Sequence, residues 1–404
     1  MRAKIGVIGG GQLGRMAIEE ARKYLADIEV LSPDYPSPAA DLADAVHVGP
    51  IDDYESVMEF AEELDIVSYE IEGVSVEALF ELERRGKAVL PPAGVLAEIK
   101  DKSRQKRLLD AAGVPTARWE LLPDPASPAA LEAAASRLGG FPIVQKACLG
   151  GYDGRGVAVL SSAGDAALKG PSLAEERIDF AKELAVVVAF APDGSSAVYP
   201  CVEMAFDARA NLCDSVLAPA REPGELRRRA EALALEAVRA LGRASGGPGA
   251  AGGAGAAGGA GAPAGVFAVE MFLAKDGRLL VNEIAPRPHN SGHYTIEACA
   301  SSQFDQYVRL LLGLPLGSPE LLSPAAMVNL VGEPASGGRA ASGVPEYLGL
   351  EEALAVPGVA VHLYGKRKVR PFRKMGHLTA VGATVEEALA RAEAARALIR
   401  IVAR

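Results

Sequence analysis

Residues 142–156 read PIVQKACLGGYDGRG, an apolar run ending at Lys146 that passes into a turn carrying four glycines. A short apolar run bounded by turn residues has the pattern of a buried strand. Glycine lacks a Cβ, so a cluster of glycines lets backbone N–H groups approach phosphate oxygens. A lysine at the end of the preceding strand offers the same phosphates a compact positive charge. A glycine-rich hairpin without a ligand is the plain alternative. Against it, Tyr152, Asp153 and Arg155 set three functional side chains among Gly151, Gly154 and Gly156. The stretch reads as a nucleotide clamp.

Outward from this clamp, residues 4–9 (KIGVIG) read as a buried parallel strand, and the helix that follows is expected over residues 15–24, before a second strand at 28–31. Gly9, Gly11 and Gly14 match G-x-G-x-x-G, and Asp34 follows about 20 residues later, as a dinucleotide fold requires. Any βα turn that brings backbone near a ligand wants glycine, so this signal is weaker than the clamp. On the other side, residues 269–295, VEMFLAKDGRLLVNEIAPRPHNSGHYT, form a hairpin pattern with Glu270 on the first strand and Asn282 and Glu283 on the second. Facing carboxylates repel each other. They suit Mg²⁺ held between protein oxygens and the phosphates of a nucleotide. Arg287, His289, Asn290, Ser291 and His293 then crowd polar groups beside apolar strand, a costly arrangement unless a ligand satisfies it. Near the C-terminal end Lys366, Arg367, Lys368, Arg370, Arg373 and Lys374 fall within nine residues. A phosphate monoester pocket fits this short cluster better than a nucleic-acid surface, since the chain as a whole carries a net charge of −10.

With 404 residues, 49% of them hydrophobic and 23% charged, the chain has the composition of a multidomain globular enzyme. Alternating short strands and helices predict a small doubly wound α/β unit over 1–95. A charged helix expected from Ile99, ending at Gly113 before Pro115, opens an α+β unit over 96–330. A third unit follows over 331–404, with a C-terminal helix at 385–399. Residues 245–265 consist almost wholly of glycine and alanine and are expected to form a flexible surface insertion. Cys148, Cys201, Cys213 and Cys299 show no metal-ligand spacing and are expected as reduced thiols. No apolar run reaches the roughly 18 residues of a membrane span, and the opening residues pass directly into a strand, so a cytoplasmic location is expected.

Taken in order, GGGQLGRM (9–16), YEIEGV (69–74), GGYDGRG (150–156), NEIAPRPHNSGH (282–293), SQFDQYVRLLLGLPLG (302–317), MVNLVG (327–332) and YGKRKVRPFRKMGH (364–377) carry a resemblance over nearly the whole chain. It resembles the ATP-grasp superfamily, and within it the synthases that carboxylate 5-aminoimidazole ribonucleotide. The resemblance implies an N-terminal Rossmann-like pre-ATP-grasp domain, a central ATP-grasp domain and a small β-rich C-terminal domain that completes the substrate site. It implies an ATP-dependent carbon–nitrogen ligase that forms carboxyphosphate from ATP and bicarbonate, works as a homodimer and binds small molecules rather than nucleic acid or membranes. Residue by residue, it implies that Lys102, Lys146, Gly151, Tyr152, Asp153, Gly154, Arg155, Gly156, Val157, Glu175, Glu176, Arg177, Ile178, Glu183, Asn282 and Glu283 surround ATP. Glu270 and Glu283 would hold Mg²⁺. The ribonucleotide would meet Gln12, Leu13, Glu70, Tyr152, Arg155, Arg287, His289, Asn290, Lys366, Arg373 and Lys374, with Asp153, Arg155 and Lys366 in catalytic roles. In that family the first glycine turn binds no dinucleotide, which removes the dehydrogenase reading.

Three positions depart from the family pattern: Phe206 for a usual histidine, Phe372 for a usual glycine and Gly73 for a usual asparagine. Two other readings stand beside the synthase. A formate-dependent glycinamide ribonucleotide transformylase shares the layout, but Gln12 and Asn290 stand here where that relative more often has acidic residues. A non-catalytic nucleotide-binding protein would not need both metal acids.

Overall fold

The computed structural model describes residues 3–122, 127–151, 156–165, 167–207, 212–244, 262–334 and 342–404. Tyr152, Asp153, Gly154 and Arg155, and nearly all of the glycine–alanine tract, lie outside the described residues. The first unit alternates strand and helix: β1 (Ile5–Ile8), α1 (Gln12–Ala21), β2 (Ile28–Ser32), β3 (Ala45–Val48), α2 (Tyr54–Phe60), β4 (Ile66–Tyr69), α3 (Val76–Arg84) and β5 (Ala88–Leu90). The strands are all parallel, in the order β3-β2-β1-β4-β5. All four residues of β1 are buried, as a parallel strand covered by helices on both faces requires. The order reverses beside β1, and sheets of this kind bind ligands beyond the carboxyl ends of the strands at such a point, where Gly9 and Glu70 lie. The helix expected from Arg15 begins three residues earlier, at Gln12. It can start on the turn itself because the Glu70 carboxylate accepts hydrogen bonds from Gly11 N–H (2.6 Å) and Gly14 N–H (3.4 Å), groups that a helix start would otherwise leave unpaired.

The charged helix expected from Ile99 is two helices, α4 (Ala93–Lys100) and α5 (Lys102–Ala111). Asp101 separates them in an extended conformation, and its carboxylate caps α5 by accepting from Ser103 N–H at 2.8 Å. Gly113, at φ +71°, ends the helical run before Pro115 as expected. A four-stranded sheet follows in the order β6 (Trp119–Leu122), β9 (Ser172–Glu176), β7 (Ile143–Ala147), β8 (Val157–Leu160), covered by α6 (Pro128–Leu138) through Leu131, Ala134 and Leu138.

The remaining strands build one large sheet. Along it run β15 (Leu279–Ala285), β14 (Gly265–Ala274), β10 (Phe180–Phe190), β12 (Val202–Asp207), β13 (Leu212–Ala218), β16 (Ala325–Val331), β19 (Lys374–Val381) and β18 (Val359–Leu363), with β11 (Ser196–Val198) paired to β10. One face is covered by α7 (Gly224–Ala244), while α8 (Thr295–Ala298) and α9 (Gln303–Leu311) link the sheet to the first unit. A smaller pair, β17 (Pro345–Leu348) with β20 (Arg400–Ala403), and the helices α10 (Leu350–Leu354) and α11 (Val385–Leu398) complete the last third. The sheet runs through the expected boundary at 331, because β16 pairs with both β13 and β19.

One core joins the first unit to this sheet: Leu13, Met16 and Ile18 of α1 share a buried cluster with Val187, Tyr199, Tyr294, Phe304 and Tyr364. Tyr307 of α9 donates a hydrogen bond to Ser68 Oγ of β4 at 2.7 Å. The first unit is thereby fixed against the large sheet through α9. All four cysteines are buried and free. No helix among the described residues is long and apolar enough to cross a membrane.

Residues 250–260 offer only glycine and alanine, with no side chain able to fill a core or bind a substrate. Their deletion is expected to leave ATP turnover within twofold. Roughly halving the connection between α7 and β14 should stabilise the fold by about 0.6 kcal/mol, read as a slightly raised denaturation midpoint. A folded but inactive deletion variant would contradict this.

Candidate functional site

One group of charged side chains is built where α5 meets β7, β9 and β15. Lys102 and Lys106 stand four residues apart on α5 and so on one helix face. Lys102 Nζ lies 2.8 Å from Glu283 Oε1. Lys146, at the end of β7, places Nζ 2.8 Å from Asn282 Oδ1 and 2.8 Å from Glu175 Oε2. The other oxygen of Glu175 lies 2.9 Å from Lys106 Nζ. Burial would push the Glu175 carboxyl up, but Lys146 and Lys106 outweigh it and hold the group below the ordinary carboxylate range. Glu176, next along the strand, points the other way and pairs with Arg118 at 2.9 Å, while Arg177 is exposed and Ile178 buried. The glycine turn closes at its described ends: Ala147 N–H donates to Gly156 O at 2.8 Å, and Gly150 and Gly156 adopt φ of +77° and +74°, the region glycine tolerates.

The acids stand on the β14–β15 ladder. Glu270 and Glu283 face each other across the strands, and the register then slips so that Met271 pairs with Val281. Asn282 is the extra residue of this bulge. Neighbours on a regular strand point to opposite faces, but the bulge lets both Asn282 and Glu283 reach lysines of the same cleft. Burial and the nearby Glu283 and Glu183 raise the Glu270 carboxyl to about 7. Burial raises Glu183, on β10, to about 7 as well. Carboxylates so short of compensating charge suit a hard divalent cation. No three His, Cys, Asp or Glu side chains among the described residues close a metal site by themselves.

His289 links this end to the next. Burial, with Arg287 and Lys374 nearby, drives its pKa down to about 3, so the imidazole is neutral. Its Nδ1 accepts from Ser291 N–H at 3.3 Å, which leaves the proton on Nε2, 3.4 Å from Glu270 Oε1.

The far end gathers Gln12, Glu70, Arg287, Asn290, Lys366 and Arg373 between the first and last units. A Cβ on Gly9 would stand 2.5 Å from Glu70 Cγ, and one on Gly11 would stand 2.5 Å from Glu70 Oε1. The glycines therefore make room for a protein carboxylate, and that carboxylate takes the amides a dinucleotide pyrophosphate would need. Burial raises the Glu70 carboxyl, opposed by the Gly11 N–H and by Arg287 and Lys366. Arg287 pairs with Glu72 at 2.9 Å. Asn290 and Asn329 exchange two side-chain hydrogen bonds, at 2.9 and 2.8 Å. Lys366 Nζ donates to Lys374 O at 2.7 Å and lies 5.3 Å from the centre of the Tyr364 ring. Arg367 pairs with Asp41 at 3.0 Å and so ties the basic loop to the first unit. Arg373 donates to Lys368 O at 2.6 Å, and Phe372 before it adopts φ +60°, the left-handed region that explains a usual glycine there. Leu13 is buried in the core, so its side chain cannot meet a ligand. Phe206 is exposed on β12, and Val157 is exposed on β8.

Sequence reading missed Lys106, Glu72 and Asn329. The position of Lys106 one helical turn after Lys102 is the only signal that could have found it. Glu72 and Asn329 lie in quoted motifs, but their partners are far away in the chain.

Family models match the chain in order: a ribonucleotide synthetase preATP-grasp domain over residues 1–100, an ATP-grasp domain over 107–246 and 262–304, and a phosphoribosylaminoimidazole carboxylase C-terminal domain over 325–391. The chain is 37% identical over 390 residues to the chloroplastic phosphoribosylaminoimidazole carboxylase of Vigna aconitifolia, covering 94% of this chain but only 64% of that protein. It is 37% identical to the N5-carboxyaminoimidazole ribonucleotide synthase of Synechococcus elongatus, over 93% of this chain and 88% of that one. The crystal structure of the N5-carboxyaminoimidazole synthase of Aspergillus clavatus, in complex with ADP and 5-aminoimidazole ribonucleotide, matches 98% of both chains with a TM-score of 0.82 at 33% identity. With the ordered domains and a lysine- and acid-lined cleft, these matches establish that the chain belongs to the N5-carboxyaminoimidazole ribonucleotide synthase family of ATP-grasp ligases.

Proposed function

We infer that the protein carboxylates 5-aminoimidazole ribonucleotide to 5-(carboxyamino)imidazole ribonucleotide, consuming ATP and bicarbonate, in purine biosynthesis. The observation that carries this reading is the meeting of two chemically different groups of side chains, lysines with acids in one and Glu70, Arg287 and the basic loop in the other, where His289 Nε2 lies 3.4 Å from Glu270 Oε1. We divide the chain at 95 and 330, as the sequence reading does, and take it as a cytoplasmic homodimer by the family resemblance.

Bicarbonate oxygen attacks the γ-phosphorus of ATP, ADP leaves, and carboxyphosphate forms. Lys102 and Lys146, close to Glu283 and Glu175, would offset the charge that spreads over the transferring phosphoryl oxygens. Glu270 and Glu283 would hold Mg²⁺, which when bound neutralises phosphate charge. The buried Glu270 carboxylate, short of compensating charge, and Glu283 facing it across the ladder beside Lys102 fit a hard cation. The exocyclic amine of the ribonucleotide then attacks the carboxyl carbon, phosphate leaves and the amine proton departs. We assign that proton to Asp153, with Arg155 beside it, on the resemblance. Lys366, Arg373 and Lys374 would bind the substrate phosphate, and Asn290 and Gln12, neither of them acidic, would favour the imidazole substrate over glycinamide ribonucleotide. Closure must exclude water, which would hydrolyse carboxyphosphate.

The decisive assay measures ADP release with 5-aminoimidazole ribonucleotide plus bicarbonate against glycinamide ribonucleotide plus formate. Turnover is expected only with the first pair, and a response confined to the second would assign the chain to the transformylase reaction. Glu283→Gln keeps shape but removes a charge from the acid pair, so turnover should fall at least about 100-fold while ribonucleotide binding, followed by calorimetry, changes less than twofold. Lys366→Ala should act in the opposite sense. Loss of one charge-assisted hydrogen bond should weaken ribonucleotide binding about 10- to 150-fold with ADP affinity unchanged. If Lys366→Ala instead abolishes ADP binding, the basic loop serves the nucleotide.

A further inference from the structure

We propose that Lys106 is a positioning residue that keeps the charge of Lys146 available to the nucleotide, acting through the carboxylate the two lysines share. The inference rests on the reading that Lys146 faces ATP phosphates, and goes beyond it.

Lys106 is 3% exposed and Glu175 is 3% exposed, whereas the Lys146 side chain is 11% exposed at the edge of the cleft. Lys106 is too enclosed to meet the nucleotide itself. Its ammonium group lies 2.9 Å from Glu175 Oε1 and donates a short hydrogen bond to the Thr116 hydroxyl. That hydroxyl in turn donates to Val281 O at 2.8 Å, beside Asn282 and Glu283 of β15. Thr116 therefore fixes Lys106 against the strand that carries the acids.

Charge explains why a second buried lysine is needed. Glu175 and Asn282 take two of the three Lys146 ammonium protons and aim the third. A carboxylate paired to Lys146 alone would cancel its charge, leaving little field to attract a triphosphate. With Lys106 on the other oxygen, two ammonium groups share one carboxylate, and the cluster keeps one net positive charge, presented at the only lysine of the pair that reaches the cleft. Glu175 orients Lys146 without neutralising it.

The test is a charge-balance series on the full chain, with ADP affinity measured by calorimetry and KM measured for both substrates. Lys106→Met leaves Lys146 paired one to one with Glu175. ADP affinity and KM for ATP are expected to worsen about 10- to 100-fold, with KM for the ribonucleotide within twofold. Adding Glu175→Gln restores the single positive charge, so the double variant should bind ADP within about fivefold of the parent. A merely structural Lys106 would show no such recovery. Should Lys106→Met fail to fold, the double variant alone decides, and weak ADP binding by it overturns the inference. Unchanged ADP binding by a folded Lys106→Met also overturns it. Lys146→Met separates the two levels. If that variant binds ADP as tightly as the parent, the assignment of Lys146 to the nucleotide has failed. If Lys146→Met is impaired while Lys106→Met is not, only the role of Lys106 falls.

Discussion

The antiparallel ladder of β14 and β15 is the frame from which both ends of the cleft are hung. Glu270, Asn282 and Glu283 stand on it, the polar residues from Arg287 to Asn290 follow directly, and Val281 O anchors the Thr116 hydroxyl that steadies Lys106. β14 in turn is paired along its full length with β10, in the middle of the sheet. Residues on such a ladder have little freedom, since each hydrogen bond fixes the next. The bulge at Asn282 interrupts the β14–β15 register, and it converts a strand that would present alternate residues to opposite sides into one whose neighbours Asn282 and Glu283 both reach lysines.

Charge is arranged differently at the two ends. Around α5 and β15 cations are shared: Lys146 and Lys106 bracket Glu175, and Lys102 holds Glu283, so ammonium groups are aimed while Glu270 and Glu183 are left short of compensation. Around the first glycine turn the buried anion comes from the protein. Glu70 occupies the amides of the first glycine turn, and Arg287 and Lys366 lie near enough to favour its ionised form. A turn that binds a carboxylate of its own chain is filled, which is why a G-x-G-x-x-G pattern here does not imply a dinucleotide. His289, held neutral by burial and by the cations around it, can sit between the two ends without adding charge to either.

The packing of α1 onto the large sheet makes this division possible. Its apolar face lies in the same cluster as Tyr199, Phe304 and Tyr364, and Arg367 reaches back to Asp41. The last third of the chain therefore closes over the first. Phe372, held in a left-handed conformation that costs a residue with a side chain about 1–2 kcal/mol, sits in that closing loop beside Arg373. Its conformation follows from Phe372 N–H donating to Gly332 O at 2.9 Å, a contact made by the backbone whatever the side chain.

Much of this was legible in the order of residues. Strand periodicity placed β1 and β2, glycine and proline marked the end of α5, and the clustering of glycines, acids and cations in separate stretches identified the chemistry, because each depends on neighbours within a few residues. The break at Asp101 was locally encoded too, but a capping aspartate looks like any other charge in a charged helix. What tertiary structure alone decided is which charges meet. Glu175 and Glu176 are identical in sequence terms, yet one is buried between two lysines and the other pairs with Arg118. Glu70 reads as a strand-end acid until Gly11 and Gly14 are folded onto it, and Asn329 until Asn290 arrives from 39 residues away. Electrostatic partners act over a few ångströms of space rather than along the chain, so the types of group in the site belong to the sequence and their pairing belongs to the fold.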